Sequence, residues 1–130
     1  MLTGSVTLLG SVLVILNLSK FEKIYLYRPF TDFRKGIFGL SVMVQEQMEL
    51  DPFKKYLFLF CNRERDKLKV LYWDETGFAL WYKILEKEKF KWPSHLQSDA
   101  IGVDIEKMEQ FLEGLNPWQR PHQKLNYKKV

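Results

Sequence analysis

Between Tyr56 and Trp92, apolar runs alternate with short polar breaks: NRERD at 62–66, DETG at 74–77 and EKEK at 86–89. Aromatic and β-branched runs punctuated in this way are the pattern of hairpin strands. Breaks this short leave no room for crossover helices, so neighbouring strands are expected to pair antiparallel. Four short strands therefore fill this stretch. Gly77, closing Asp74-Glu75-Thr76, suits a type I turn that ends in a left-handed residue.

The flanks predict one more strand and two helices. Lys23–Tyr27 (KIYLY) alternates as a strand with Tyr25 and Tyr27 on one face, and Arg28-Pro29 ends it. Thr31 suits a helix N-cap, and Asp32 complements the positive end of the helix dipole. Phe33, Ile37, Leu40, Val44 and Met48 then form one amphipathic stripe to about Leu50. Phe38 and Val42 widen it, and Gly36 and Gly39 suggest a close approach of helix to sheet. Asp51-Pro52 stops the helix. A polar linker spans Ser94–Gly102. Asp104 then caps a second helix with Ile105, Met108, Phe111, Leu112 and Leu115 inward, and Gly114 and Pro117 end it.

Within the hairpins, Tyr56–Cys61 is apolar on both faces and reads as a central, covered strand. Lys67, Lys69, Leu71 and Trp73 share one face of the next strand. With a glycine bulge at 74–77, Lys69 lies across from Lys83, and Trp73 and Trp81 join that face; a four-residue register breaks this patch apart. The expected fold is α+β, a small antiparallel β-meander of about five strands packed by two amphipathic α-helices. Residues 20–115 form the single domain, 1–19 an apolar extension and 116–130 a basic tail of extended or disordered character.

Composition sharpens this picture in three places. All 16 acids precede Asn116 and meet 16 of the 20 Lys and Arg there, so the body is formally neutral and the net charge of +4 sits in the tail. The charge argument for nucleic acid is thus an argument about the tail, and it is weaker than a basic groove. Met1–Leu18 is uncharged, but it has no basic start and no alanine precedes Ala79, which disfavours a secretory signal. Thr, Ser, Gly and Asn dilute the run as a membrane span. Cys61 is the only cysteine, so no internal disulfide or all-cysteine zinc site is possible. A buried thiol and a cytoplasmic location fit it.

YWDETGFALWYKILEKEKFKWP at 72–93, DPF at 51–53, TDFRKGIFGL at 31–40, LEGL at 112–115 and RPH at 120–122 occur in an order that resembles one family. It is the accessory protein from the second open reading frame of insertion sequence 66 elements, the TnpB type. The resemblance runs from about Ile24 to His122. It implies a role in transposition beside a separate, element-encoded transposase that carries the cutting chemistry. Glu88 stands where the family usually has glycine, implying a looser last turn.

Three chemistries compete for the residues themselves. A two-metal nuclease needs clustered carboxylates; Asp32, Asp66, Asp74 and Asp104 each have a cap or turn to explain them. No GxSxG, HExxH, CxxC or phosphate-loop pattern is present. No enzyme, cofactor or metal is expected, with a metal-dependent nuclease using Asp32 or Asp66 as the lesser alternative. Nucleic acid or a protein partner is the better reading. Arg34 and Lys35, Arg63 and Arg65 in a hairpin, Lys67, Lys69 and Lys83 on strands, and Arg120 in the tail can track phosphates or meet a partner. Trp73, Trp81 or Tyr82 can stack bases if exposed. Lys and Arg also cover ordinary surfaces, and aromatic strands are commonly core. Trp118 is either a partner anchor or a cap folded back on the core. The expected function is a non-enzymatic accessory factor that binds the transposase, element DNA or both; the alternative is a general nucleic-acid-binding module.

Overall fold

The computed structural model describes residues 17–119. After a short 3-10 turn at Leu18–Lys20, the elements are β1 (Lys23–Tyr27), α1 (Ile37–Glu46), β2 (Tyr56–Cys61), β3 (Lys67–Trp73), β4 (Phe78–Ile84), β5 (Ala100–Val103) and α2 (Ile105–Leu112). The apolar extension up to residue 16 and the tail from Arg120 onward lie outside the described residues.

The α+β class, the five strands and the two helices agree with the sequence pattern. The sheet runs β4-β3-β2-β1-β5, with β2 in the centre as expected. β2, β3 and β4 form an antiparallel meander. β1 instead pairs parallel with β2, so the sheet is mixed. The reason is α1, which lies between these two strands and returns the chain to the same end of the sheet.

The fifth strand is a different segment from the one expected. Residues 85–99 hold no strand; the Leu85 N–H donates to the Asp66 carbonyl at 2.8 Å and the Phe90 N–H to the Arg65 carbonyl at 2.7 Å. Phe90 and Trp92 are buried, and the Trp92 indole N–H donates to the Arg28 carbonyl at 2.8 Å. Ala100–Val103, expected as the end of a polar linker, pairs antiparallel with β1. Arg28 fixes that pairing: its backbone N–H donates to the Asp99 carbonyl at 2.8 Å and its guanidinium pairs with the Asp99 carboxylate at 2.9 Å.

Two cores result, one on each face of the sheet. Leu40, Val44 and Met48 of α1 pack against Tyr27, Phe58, Phe60 and Leu71. On the reverse face, Met108, Phe111 and Leu112 of α2 join Phe90 and Trp92 over Ile24, Leu26, Leu57, Leu59 and Val70. Each such buried Leu or Phe stabilises the fold by about 1.5–3 kcal/mol relative to an exposed position. Cys61 is fully buried, and burial pushes its thiol up to about 12.

Both helices are shorter than their periodicity suggests. α1 begins after Gly36, not after Thr31. The Thr31 N–H is committed to the Cys61 carbonyl at 2.8 Å, which ties this residue to the end of β2. Glu49, with φ of 57°, marks the exit from the helix. Phe38 is 80% exposed and Val42 is exposed too, so they face solvent instead of widening the core. A Cβ on Gly36 would meet nothing and one on Gly39 would meet only the Lys35 side chain, so neither glycine marks contact with the sheet. In α2, Asp104 caps as expected, accepting from the Lys107 N–H at 2.7 Å, and Gly114 takes φ of 91° past the end. Ile105 and Leu115 are exposed, leaving a stripe of Met108, Phe111 and Leu112.

The 74–77 turn takes the four-residue register, with Trp73 opposite Phe78. Asp74 organises it: its carboxylate accepts from the Thr76 N–H, the Thr76 hydroxyl and the Gly77 N–H, all within 3.1 Å. Glu75, not Gly77, is the left-handed residue, with φ of 79°. Such side-chain-closed turns suit Asp. Lys69 therefore faces Tyr82 and Lys83 faces Leu68, on opposite sides of the sheet. Trp73 and Trp81 are likewise separated, so the expected Lys69–Lys83–Trp73–Trp81 patch does not form.

Candidate functional site

The segment Thr31–Gly36 lies against the turn between β2 and β3, and the two enclose a groove of about 670 Å³. Thr31, Asp32 and Arg34 line it from the segment; Arg63 and Lys67 line it from the turn; Tyr82 lines it from β4. Three candidate cations from two stretches about thirty residues apart, Arg34 on one and Arg63 and Lys67 on the other, thus meet around one depression.

The turn is built on Asn62. Its side chain is 6% exposed and closes the hairpin from inside. The Asn62 Oδ1 accepts from the Asp66 and Lys67 N–H groups at 3.1 and 3.0 Å, and its Nδ2 donates to the Asp66 and Glu64 carboxylates at 2.7 and 3.2 Å. Arg65 sits in a left-handed conformation, φ 61°, which completes the reversal. The Asn62 amide, then Lys67, holds the Asp66 carboxyl below the usual carboxylate range.

The facing segment is pinned by a buried lysine. Lys69 is 5% exposed, and its ammonium donates to the Phe33 and Lys35 carbonyls at 3.0 and 2.9 Å. It lies over the rings of Phe33 at 4.7 Å and Tyr82 at 5.1 Å, as cations do on aromatic faces. Burial pushes its pKa below the ordinary lysine value. Lys69 is thus a structural tie and does not reach the surface as a phosphate contact. Next to it, Arg34 folds onto Asp32 with several charge-assisted hydrogen bonds, while its side chain stays 90% exposed. The Arg34 side-chain hydrogen bond, then its backbone N–H, lowers the Asp32 carboxyl to about 2.

Thr31 is 5% exposed, and its hydroxyl is the one buried side-chain polar atom without a hydrogen-bond partner among the described residues. Arg63 makes no ion pair among the described residues, whereas Lys67 approaches Asp66 at 3.6 Å. The groove carries three cations against the carboxylates of Asp32 and Glu64, so it is weakly positive.

The remaining candidates scatter. Lys35 is exposed, with its carbonyl held by Lys69. Arg65 is exposed in the same turn but does not line the groove. Trp73 packs edge-on against Phe53 and Phe78, each at 5.0 Å. Trp81 is half-buried against the α2-side core, and Lys83 lines a smaller cavity of about 120 Å³ on that side, where burial lowers its pKa. Trp118 folds back: its ring packs on Phe111 at 6.0 Å and its indole N–H donates to the Lys91 carbonyl. Arg120 lies outside the described residues.

Sequence reasoning misses Asn62, although an Asn just after a strand, followed by a polar turn, is an Asx-turn signal. The tie made by Lys69 has no local signal, because its acceptors lie more than thirty residues away. Among the described residues, no three His, Cys, Asp or Glu side chains are grouped to hold a metal ion, and no helix is long and apolar enough to cross a membrane.

Fold and groove together define a small mixed-sheet α+β module whose cationic and aromatic side chains meet between two loops. The family model described as "IS66 Orf2 like protein" matches residues 22–123, and the chain belongs to that family. It is therefore a transposition-associated accessory protein of an insertion-sequence mobile element. Two relatives from Sinorhizobium fredii (strain NBRC 101917 / NGR234) are similar to it. Uncharacterized protein y4hO is 32% identical over 101 residues, 78% of this chain and 86% of the relative. Uncharacterized protein y4jC is 33% identical over 93 residues, 72% of this chain and 78% of the relative. No solved structure matches the chain.

Proposed function

We propose that this protein is a non-enzymatic, cytoplasmic accessory factor that works beside the element's transposase by holding element DNA along the groove. The observation that carries the reading is the convergence of Arg34, Arg63 and Lys67 on one depression. They come from two loops that face each other across the groove, and Lys69 and Asn62 hold both loops in place beneath them. Cations so placed neutralise phosphates and release counterions, which makes binding salt-dependent.

The test is fluorescence anisotropy on labelled element-end duplex and on a scrambled duplex over a salt series. Salt-sensitive binding is expected, and the Arg34→Ala/Arg63→Ala variant is expected to flatten the log–log salt slope by about 0.9 for each phosphate that is no longer neutralised. Absence of binding by the wild-type protein to either duplex at low salt refutes the groove as a duplex site. A second reading, contact with the transposase itself, is favoured by Phe38 and Val42, which α1 turns to solvent. A pull-down with wild-type and Phe38→Ser protein tests it.

A further inference from the structure

We infer that the groove takes an unpaired nucleotide of single-stranded DNA, with its base on Tyr82 and its phosphates on Arg63 and Lys67. This rests on the proposed DNA reading and specifies the form of the ligand. Of the three aromatic residues that the sequence offers for stacking, Tyr82 is the one that lines the groove, and it is 45% exposed. Trp73 and Trp81 are occupied by packing elsewhere.

The Tyr82 ring is also held in place. The edge-to-face contact with Phe33, at 5.9 Å and 86° between planes, fixes one boundary, and the Lys69 ammonium lies over the ring from the buried side. The area still exposed is a fixed aromatic surface beside Arg63 and Lys67. An aromatic platform next to cations that follow the backbone is the arrangement by which proteins hold single strands. The groove volume lies within the range of pockets that enclose one small ligand, roughly 300–1,000 Å³. A duplex keeps its bases stacked and offers such a depression only phosphate and sugar, whereas an unpaired strand can turn a base into it.

The experiment compares a labelled oligodeoxythymidylate of about eight nucleotides, within the single-strand site sizes of small modules, with a blunt duplex. Wild type, Tyr82→Phe, Tyr82→Leu and Arg63→Ala/Lys67→Ala are measured, each checked for folding by thermal melt. Tyr82→Leu keeps an apolar side chain against Phe33 and removes the aromatic face together with the contact the ring makes with Lys69, which the thermal melt reads separately. Tighter binding of the oligothymidylate than of the duplex is expected. Tyr82→Leu should weaken it by roughly 5- to 150-fold, the effect of one base–aromatic stack, with Tyr82→Phe close to wild type. Equal binding of both probes, with Tyr82→Leu unchanged, overturns this inference and leaves the groove as a duplex site. Absence of binding to either probe overturns the DNA reading along with it.

Discussion

Replacing Asn62 by Ala isolates what holds the cationic turn in place. The substitution removes an acceptor shared by the Asp66 and Lys67 N–H groups and a donor to two carboxylates. Net contributions of about 1 kcal/mol for each of the two backbone bonds sum to about 2 kcal/mol. The carboxylates lie where solvent can replace the amide, so the expected loss stays at about 2 kcal/mol. For a chain of this length that lowers Tm by roughly 6–10 °C. Urea denaturation should show a lower midpoint with an unchanged m value. A second readout needs no denaturation: the Asp66 carboxyl, released from the Asn62 amide, should titrate closer to 3.8. Its lowered pKa contributes stability above 3.8 that is lost as pH falls through the folded value, so the gap between wild type and variant should narrow in acid. A loss below about 0.5 kcal/mol, with Asp66 unmoved, would falsify the role given to Asn62.

Two further perturbations probe the facing loop. The Asp32 carboxyl should titrate at about 2 by NMR and return toward 3.8 in Arg34→Ala, since Arg34 is the main cause of the shift; an unchanged midpoint breaks the proposed pairing. Lys69→Met should speed amide exchange in the Thr31–Gly36 segment and weaken DNA binding, although Lys69 touches no ligand. Because burial lowers the Lys69 pKa, native stability should rise as pH climbs from that lowered value toward 10.5, and the variant should keep only the shallower slope that the likewise lowered Lys83 contributes. Unaltered exchange and binding contradict the tie.

Local pattern is sufficient wherever the deciding interactions are near neighbours. The alternation from Tyr56 to Ile84 places three strands, Asp104 caps its helix through a residue three positions on, and the Leu40–Val44–Met48 stripe is buried. The central position of β2 follows from its being apolar on both faces. Arg34, Arg63 and Lys67 are visible as candidates because a charged loop beside a strand end is itself a local feature.

What the sequence alone does not decide depends on pairings across long separations. Ala100–Val103 becomes a strand because the β1 edge and the Arg28–Asp99 pair receive it, while the more strand-like residues 89–92 are drawn into the core by the burial of Phe90 and Trp92. α1 starts late, after Gly36, and the Phe33 and Lys35 carbonyls that an earlier start would use accept from the distant Lys69 ammonium instead. The parity of the β3–β4 register hangs on one carboxylate at Asp74, and a shift of one residue exchanges every side chain between the two faces. That parity sets Tyr82, in place of Lys83, opposite Lys69 and so gives Tyr82 to the groove. Periodicity can announce that a residue is cationic or aromatic; which face it occupies, and what stands opposite, is settled only when the sheet closes.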